Sequence, residues 1–270
     1  MRRNNGVSVV KNYRMTIQYD GTSYNGWQKQ KNTTNTIQTV LEETLSVVLQ
    51  EDIQIQGSGR TDAGVHAYGQ TANFKCKSIQ ELKDFLLKIN KKLPPDIKMV
   101  CIQEVSKDFH SRLSAVSKIY SYHIANGQRP SVFRRKYLYH YEKELNLELI
   151  RSAANQLMGT HDFRAFSSEK NPMKSCIRCL YDITIEKRDN EIVICYFGNG
   201  FLYNMARILT GTLLEIGAGE RKMVEFEQIF YSGNRKFSGF LAPPNGLFLE
   251  RVIYTKEEEA VLFTRTKHLV

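Results

Sequence analysis

One short stretch of the chain combines an acid, bases and small residues in a way that could form a reaction site. It runs Gly57-Ser58-Gly59-Arg60-Thr61-Asp62-Ala63-Gly64-Val65-His66-Ala67. Glycine allows backbone angles and close ligand approach that other residues resist, so we expect the carboxylate of Asp62 to meet a substrate without obstruction. An ordinary turn, with Asp62 bonded to its own backbone and Arg60 as a solvated charge, is the alternative interpretation of the loop alone.

The segments around this loop predict strands and helices in the order βαββαβ. Hydrophobic alternation predicts strands at 14–19, 53–56, 70–75 and 97–104, and helical periodicity predicts helices at 35–50 and 79–90. Asn35 is the predicted N-cap of the first helix. This order is typical of a ferredoxin-like unit.

A similar alternation follows after about residue 113. Strands are predicted at 119–125, 177–186, 191–197 and 247–254, and helices at 147–158, 201–216 and 223–230. No close internal sequence repeat accompanies it, so the similarity is one of architecture. We predict a flexible basic tail over residues 1–12, an α/β lobe over 13–112 that carries Asp62, and a second α/β lobe over 113–270.

The charge of the chain favours a polyanionic partner. Its 270 residues include 38 Lys and Arg against 28 Asp and Glu, which gives a formal net charge of +10. Clustered cations release counterions from nucleic-acid phosphates, although the same charge could serve solubility alone. Charge by itself does not distinguish RNA from DNA.

Cysteine usage indicates a reducing compartment, and we expect the cytoplasm. The five cysteines are an odd number with no regular framework, unlike the disulfide pattern of small secreted proteins. Cys176 and Cys179 form one CxxC without a second pair, so we predict no metal. No apolar run approaches membrane-spanning length, and residues 1–12 lack the apolar core of a signal peptide.

Several motif blocks, met in order along the chain, resemble the tRNA pseudouridine synthase A (TruA) family. GRTDAGVHA at 59–67 is the hallmark of that family, and YDGTSYNGWQKQ at 19–30 looks like its YDGTxYxGWQxQ. Three further blocks resemble the family: FHSR at 109–112 leading into KIYSY at 118–122, GFLYNMAR at 200–207, and APPNGL at 242–247.

The resemblance implies a fold, a reaction and partners. The fold would be two ferredoxin-like (RRM-like) α/β lobes that share one extended, largely antiparallel sheet with a central active-site cleft. The reaction would convert uridine to pseudouridine at positions 38, 39 and 40 of the tRNA anticodon stem-loop, without a cofactor, in a homodimer. Two alternatives stay open, which are the same chemistry on 23S rRNA and an RNA-binding or RNA-folding module.

The resemblance also assigns roles to residues. Asp62 would be the essential carboxylate, either the nucleophile at C1′ or the base that removes the 2′-proton. Arg207 would orient that carboxylate by charge-assisted hydrogen bonds, and Tyr120 would pack on the target uracil and assist a proton transfer. Leu247 would form an apolar wall of the uracil pocket, and Arg60 would brace the base stack after the uridine leaves it.

Three other features complete the set of candidate site residues, and two of them have competing interpretations. We expect Tyr122 on the opposite strand face from Tyr120, as the core residue of the pair. The run 134–141 interleaves cations with aromatics, which suits RNA contact as well as a strand with a buried aromatic face. Asp62 and His66 as metal ligands of a hydrolase form the weaker hypothesis, because the sequence offers no further ligand at suitable spacing nearby.

Overall fold

The structure is a computed structural model that describes residues 10–171 and 173–267. These residues form two compact units, one up to Ala115 and the other from Val116 onward. The predicted tail at 1–12 is only partly described, since residues 10–12 already belong to the first strand and 1–9 lie outside the described residues. The assignment of 13–112 and 113–270 as domains stays a prediction.

The first unit has the predicted βαββαβ order. Its elements are β1 (Val10–Tyr19), α1 (Ile37–Leu49), β2 (Ile55–Gly57), β3 (His66–Lys77), α2 (Leu82–Asn90) and β4 (Ile97–Val105). Strand β1 lies between β3 and β4 and is antiparallel to both, and β2 adds to β3 as a short antiparallel strand. The loop with Asp62 therefore joins two neighbouring strands, β2 and β3.

Alternation along β1 and helical spacing along α1 supply the core of this unit. Tyr13, Met15 and Ile17 are fully buried, because residues two apart on a strand share one face. Leu41 and Leu45 are buried on α1 at the four-residue spacing that brings side chains to one face of a helix.

The N-cap of α1 is Thr36, and the prediction of Asn35 is wrong by one residue. Thr36 has an extended backbone, and its Oγ1 accepts a hydrogen bond from the Thr39 amide at 3.2 Å. The Asn35 side chain instead donates to the Ser23 carbonyl at 2.5 Å and so ties the preceding loop together. Both residue types are good N-caps, so local propensity could not separate them.

The second unit is also mixed α/β with largely antiparallel strands, and this fold class is confirmed in both units. Its elements are β5 (Ser117–Asn126), β6 (Tyr139–Tyr141), α3 (Leu147–Leu157), β7 (Gly159–Asp162), β8 (Ile177–Arg188), β9 (Glu191–Gly198), α4 (Met205–Gly217), α5 (Met223–Ser232), β10 (Leu247–Ile253) and α6 (Lys256–Lys267). The strand order is β10-β5-β9-β8-β7, all antiparallel, with β6 parallel to the end of β5. No described helix is both long and apolar enough to cross a membrane.

A buried asparagine pair fastens the segment 106–111 to the strands of the first unit. The Asn73 Nδ2 donates to Asn12 Oδ1 at 3.1 Å, and Asn73 Oδ1 accepts from the Ser111 amide at 2.9 Å. Asn12 Nδ2 in turn donates to the carbonyls of Ser106 and Phe109 at 3.0 and 2.9 Å. Two buried amide side chains thus satisfy the backbone of a turn that has no strand partners of its own.

Replacing Asn73 should therefore destabilise the first unit. Asn73→Ala leaves the Ser111 amide and the Asn12 side chain without these partners, and we expect the free energy of unfolding to fall by about 2 kcal/mol. Urea unfolding of both variants followed by circular dichroism measures the change, with Asn155→Ala on the exposed part of α3 as the control. Equal stabilities of the two variants would contradict the anchoring role.

Candidate active site

The loop that carries Asp62 is fastened to the segment 19–30. The Trp27 amide donates to the Thr61 carbonyl at 3.0 Å, and the Tyr19 hydroxyl bonds Thr61 Oγ1 at 2.8 Å. A turn follows, in which the Val65 amide donates to the Asp62 carbonyl at 3.1 Å. Asp62 itself is half-buried. Because these hydrogen bonds hold the loop before and after it, the backbone that carries its carboxylate is fixed on both sides.

Two glycines of the segment 19–30 make this close packing possible. A Cβ on Gly21 would lie 2.0 Å from the Val65 carbonyl oxygen, and one on Gly26 would lie 2.7 Å from the Thr61 carbonyl oxygen. Gly26 also has a φ of 89°, which side-chain-bearing residues rarely adopt. The two sequence blocks around Gly21 and Asp62 therefore pack backbone against backbone.

The rest of the loop is held from β3. Ser58 Oγ donates to Gln70 Oε1 at 2.7 Å, and Gln70 Nε2 donates to the Gly59 carbonyl at 3.1 Å. Arg60 is exposed, and its Nε donates to Gln28 Oε1 at 3.0 Å. Gln28 thus orients the exposed side chain of Arg60, which stands two residues before Asp62 in the sequence.

His66 braces the same packing from inside. It is 1% exposed, and its Nδ1 accepts a hydrogen bond from the Gly21 amide at 3.1 Å. The same Nδ1 lies 3.2 Å from Asp20 Oδ1. Within residues 10–171 and 173–267 no group of three or more His, Cys, Asp or Glu side chains could hold a metal ion. The contacts of His66 thus favour a structural role over a ligand role.

Tyr120 lies on β5 with its ring buried against Phe201. The two ring centroids are 4.8 Å apart in an edge-to-face arrangement, which is a favoured geometry for aromatic pairs. Phe201 belongs to the motif block at 200–207 and precedes α4, although the helix was predicted to begin there. Tyr120 is therefore held in one orientation by packing.

The predicted face of Tyr122 is wrong, although its burial is confirmed. Tyr120 and Tyr122 pair in unbroken register with Tyr196 and Ile194 of β9, and residues two apart on a regular strand share a face. Tyr122 is fully buried, and its hydroxyl donates to the Pro243 carbonyl at 2.7 Å. Burial raises the pKa of Tyr122 well above its usual value, against the charge of Arg207, which lowers it. Tyr122 therefore stays protonated and acts as a structural donor.

Leu247 begins β10 directly opposite Tyr122 on β5. It is buried, and the next inward residue of the strand, Leu249, lies opposite Tyr120. A short 3₁₀ turn, Pro244–Gly246, leads into the strand. Leu247 and Tyr120 consequently lie on neighbouring strands two positions apart.

Arg207 lies in the first turn of α4 and is half-buried. Its Nε donates to the Ala242 carbonyl at 2.7 Å, and its Nη1 donates to Asn204 Oδ1 at 3.4 Å. Helix α4 begins at Met205 and not at residue 201 as predicted, because Asn204 has a left-handed backbone with φ 63°. The second unit thus carries Tyr120, Arg207 and Leu247, and the first carries Asp62 and Arg60.

A separate polar cluster on β5 and β9 has the connectivity of a hydrolase triad without its accessibility. Ser121 Oγ lies 3.0 Å from His123 Nε2, and His123 Nδ1 lies 2.8 Å from Glu191 Oε1. Ser121 is 1% exposed and donates its hydroxyl proton to Glu250. Burial opposes ionisation of Glu191, but hydrogen bonds from Arg134 and His123 outweigh it and lower the pKa. The cluster is a structural ion network.

Comparison with known proteins identifies the family. The family model of tRNA pseudouridine synthase matches residues 15–113 and 153–255. The chain belongs to the tRNA pseudouridine synthase family, which is a family of isomerases.

Individual relatives agree with this family over most of the chain. A tRNA pseudouridine synthase A 2 of Clostridium perfringens is 44% identical over 245 residues, which cover 91% of this chain and 100% of the relative. The tRNA pseudouridine synthases A of Acetivibrio thermocellus and Clostridium acetobutylicum are 42% and 41% identical, each with 91% of this chain and 100% of the relative covered. The resemblance stated from the motifs is therefore confirmed.

The close approach at Gly26 gives a direct test of how the Asp62 loop is held. Gly26→Ala should lower the free energy of unfolding by about 1–3 kcal/mol more than Gly127→Ala, because only Gly26 faces backbone atoms. The two glycines have similar φ values of 89° and 78°, so backbone strain is matched. Thermal unfolding checks the difference, and equal losses in the two variants would refute the packing argument.

Proposed function

We propose that this chain converts uridine to pseudouridine at positions 38, 39 and 40 of the tRNA anticodon stem-loop, with Asp62 as the essential carboxylate. The observation that carries the proposal is the fixed loop of Asp62, in which Thr61 and Asp62 are bonded on both sides. A rigid backbone presents a carboxylate in one orientation before the substrate arrives, which lowers the entropic part of a barrier.

The reaction balances without a cofactor. The N1–C1′ bond of uridine breaks, the uracil turns, and a C5–C1′ bond forms. The C5 proton then leaves to solvent and N1 gains a proton, so no oxidation or reduction takes place. Asp62 acts either as the nucleophile at C1′ or as the base that takes the 2′-proton, and it is regenerated in either case.

The second unit supplies the remaining proposed roles. Arg207 orients the Asp62 carboxylate, and its half-buried guanidinium is already aligned by the Ala242 carbonyl. Tyr120 packs on the uracil, with its ring fixed by Phe201. Leu247 forms an apolar wall of the uracil pocket next to it in the sheet.

Arg60 is proposed to brace the RNA stack when the uridine leaves. Flipping a base out of a stem costs a few kcal/mol, part of which a planar guanidinium recovers by stacking. Two observations support this role of Arg60, which stands two residues before Asp62. Its side chain is exposed, and Gln28 orients it by a hydrogen bond.

The segment 129–137 supports contact with RNA outside the reaction centre. Phe133 is 87% exposed, and Arg135 and Lys136 beside it are exposed as well. The base of the segment is anchored, since Arg134 pairs with Glu191 at 2.6 Å. Of the run 134–141, only Tyr139–Tyr141 forms a strand, so the cations lie in turns where RNA can reach them.

Two tests address Asp62. Asp62→Asn should lower tritium release from tRNA labelled at uridine C5 by at least about 1,000-fold, because an amide is neither nucleophile nor base here. Binding of tRNA should stay within about tenfold, since phosphate contacts elsewhere supply most of the affinity. Asp52→Asn, on the exposed surface of the first unit, is the control. Parallel loss of binding and turnover would make Asp62 structural.

The substrate and assembly are tested separately. We propose a cytoplasmic homodimer in which one tRNA contacts both subunits, so light scattering should give twice the chain mass and activity should fall steeply with added salt. Mapping of pseudouridine in a strain that lacks the gene should show losses confined to tRNA positions 38, 39 and 40. Loss from 23S rRNA with intact tRNA would retain the chemistry and overturn the substrate.

A further inference from the structure

Asn204 has a backbone conformation that is unusual for its place in the fold. Three non-glycine residues of the described chain have positive φ, and Gln50 and Asp189 among them lie at a helix C-cap and in the turn between β8 and β9. Asn204 instead stands at the start of α4, with φ 63° and ψ 5°. A residue that starts a helix ordinarily has an extended backbone, as Asn146 does before α3.

The side chain of Asn204 also does not cap the helix, which is the ordinary function of an asparagine at a helix start. Asn146 Oδ1 accepts hydrogen bonds from the amides of Glu148 and Leu149 at 3.0 and 3.2 Å, which caps α3. Asn204 makes no such cap to α4, and its Oδ1 accepts from Arg207 Nη1 instead. A strained backbone conformation without a compensating helix cap persists only where the surrounding structure imposes it. Residues with such strained backbones cluster at functional sites.

The orientation of the Asn204 amide is set from its other end. Its Nδ2 donates to Ser168 Oγ at 2.9 Å, which turns Oδ1 toward Arg207. The Ala242 carbonyl holds the Arg207 Nε at 2.7 Å. The Ala242 carbonyl and the Asn204 amide oxygen are two neutral acceptors, and each orients the guanidinium through a charge-assisted hydrogen bond.

We propose that Asn204 is a positioning residue, which aims the Arg207 guanidinium through a chain of hydrogen bonds that begins at Ser168. The inference rests on the proposed role of Arg207 in the reaction. The 3.4 Å bond between Arg207 and Asn204 is long, and we expect it to shorten when RNA binds, as hydrogen bonds of an active site often do.

Asn204→Gly separates the backbone from the side chain. Glycine accepts the left-handed conformation without strain, so the thermal midpoint should stay equal or rise. The kcat for tRNA should fall about tenfold with KM within about twofold, because a hydrogen bond to a charged group is lost only from the aligned state. A wild-type kcat in this variant overturns the inference.

Ser168→Ala gives an independent measurement that holds even if Asn204→Gly folds poorly. It removes the acceptor of the Asn204 amide, and we expect kcat to fall about threefold at unchanged stability. Ser168→Ala combined with Asn204→Gly should be no slower than Asn204→Gly alone, since Ser168 acts through Asn204. An unchanged kcat in Ser168→Ala, or additive losses in the double variant, contradicts the chain.

Two controls separate this inference from the proposed function. Asn146→Gly removes a true helix cap, so it should lower stability and leave kcat unchanged. Arg207→Leu should abolish turnover if Arg207 acts in the reaction. Full activity of Arg207→Leu refutes the role of Arg207 itself, whereas inactive Arg207→Leu beside fully active Asn204→Gly refutes only the positioning by Asn204.

Discussion

The backbone contact between the segment 19–30 and the Asp62 loop is the constraint on which the first unit depends. Gly21 and Gly26 approach the carbonyls of Val65 and Thr61 so closely that a methyl group on either glycine would overlap backbone atoms. The buried His66 ring accepts a hydrogen bond from the Gly21 amide, and the Trp27 amide donates a hydrogen bond to the Thr61 carbonyl of the loop. A loop held by backbone atoms has few alternative conformations, so the Asp62 carboxylate extends from a fixed backbone.

In the second unit, backbone carbonyls of one short segment hold the side chains of Arg207 and Tyr122. The segment 242–247 offers the Ala242 carbonyl to Arg207 and the Pro243 carbonyl to Tyr122, and then continues as β10 with Leu247. One short segment therefore contacts the Arg207 cation and the buried Tyr122 phenol and leads into the buried side chain of Leu247. Both carbonyls are uncharged hydrogen-bond acceptors, and the one of Ala242 orients the Arg207 guanidinium.

Hydrophobic periodicity predicted most of the larger elements, and it failed where backbone geometry or side-chain bonds decide. The predicted start of α4 is four residues too early, because apolar residues extend the helical pattern back to residue 201, whereas left-handed Asn204 interrupts the helix. Short strands such as β6 carry too few residues to show a period. The motif around Asp62 marks it as the candidate carboxylate from the sequence, whereas the proposed positioning of Arg207 by Asn204 depends on one backbone angle that no sequence pattern shows.

The central claim is that the carboxylate of Asp62 acts at C1′ or the 2′-position of a flipped uridine. The structure of the Asp62→Asn variant bound to an unmodified anticodon stem-loop RNA tests it most directly. The account predicts a uridine rotated out of the stem, its C1′ or C2′ within about 3.5 Å of the carboxamide at position 62. A uridine that remains stacked, or a flipped uridine whose ribose lies far from position 62, would contradict it.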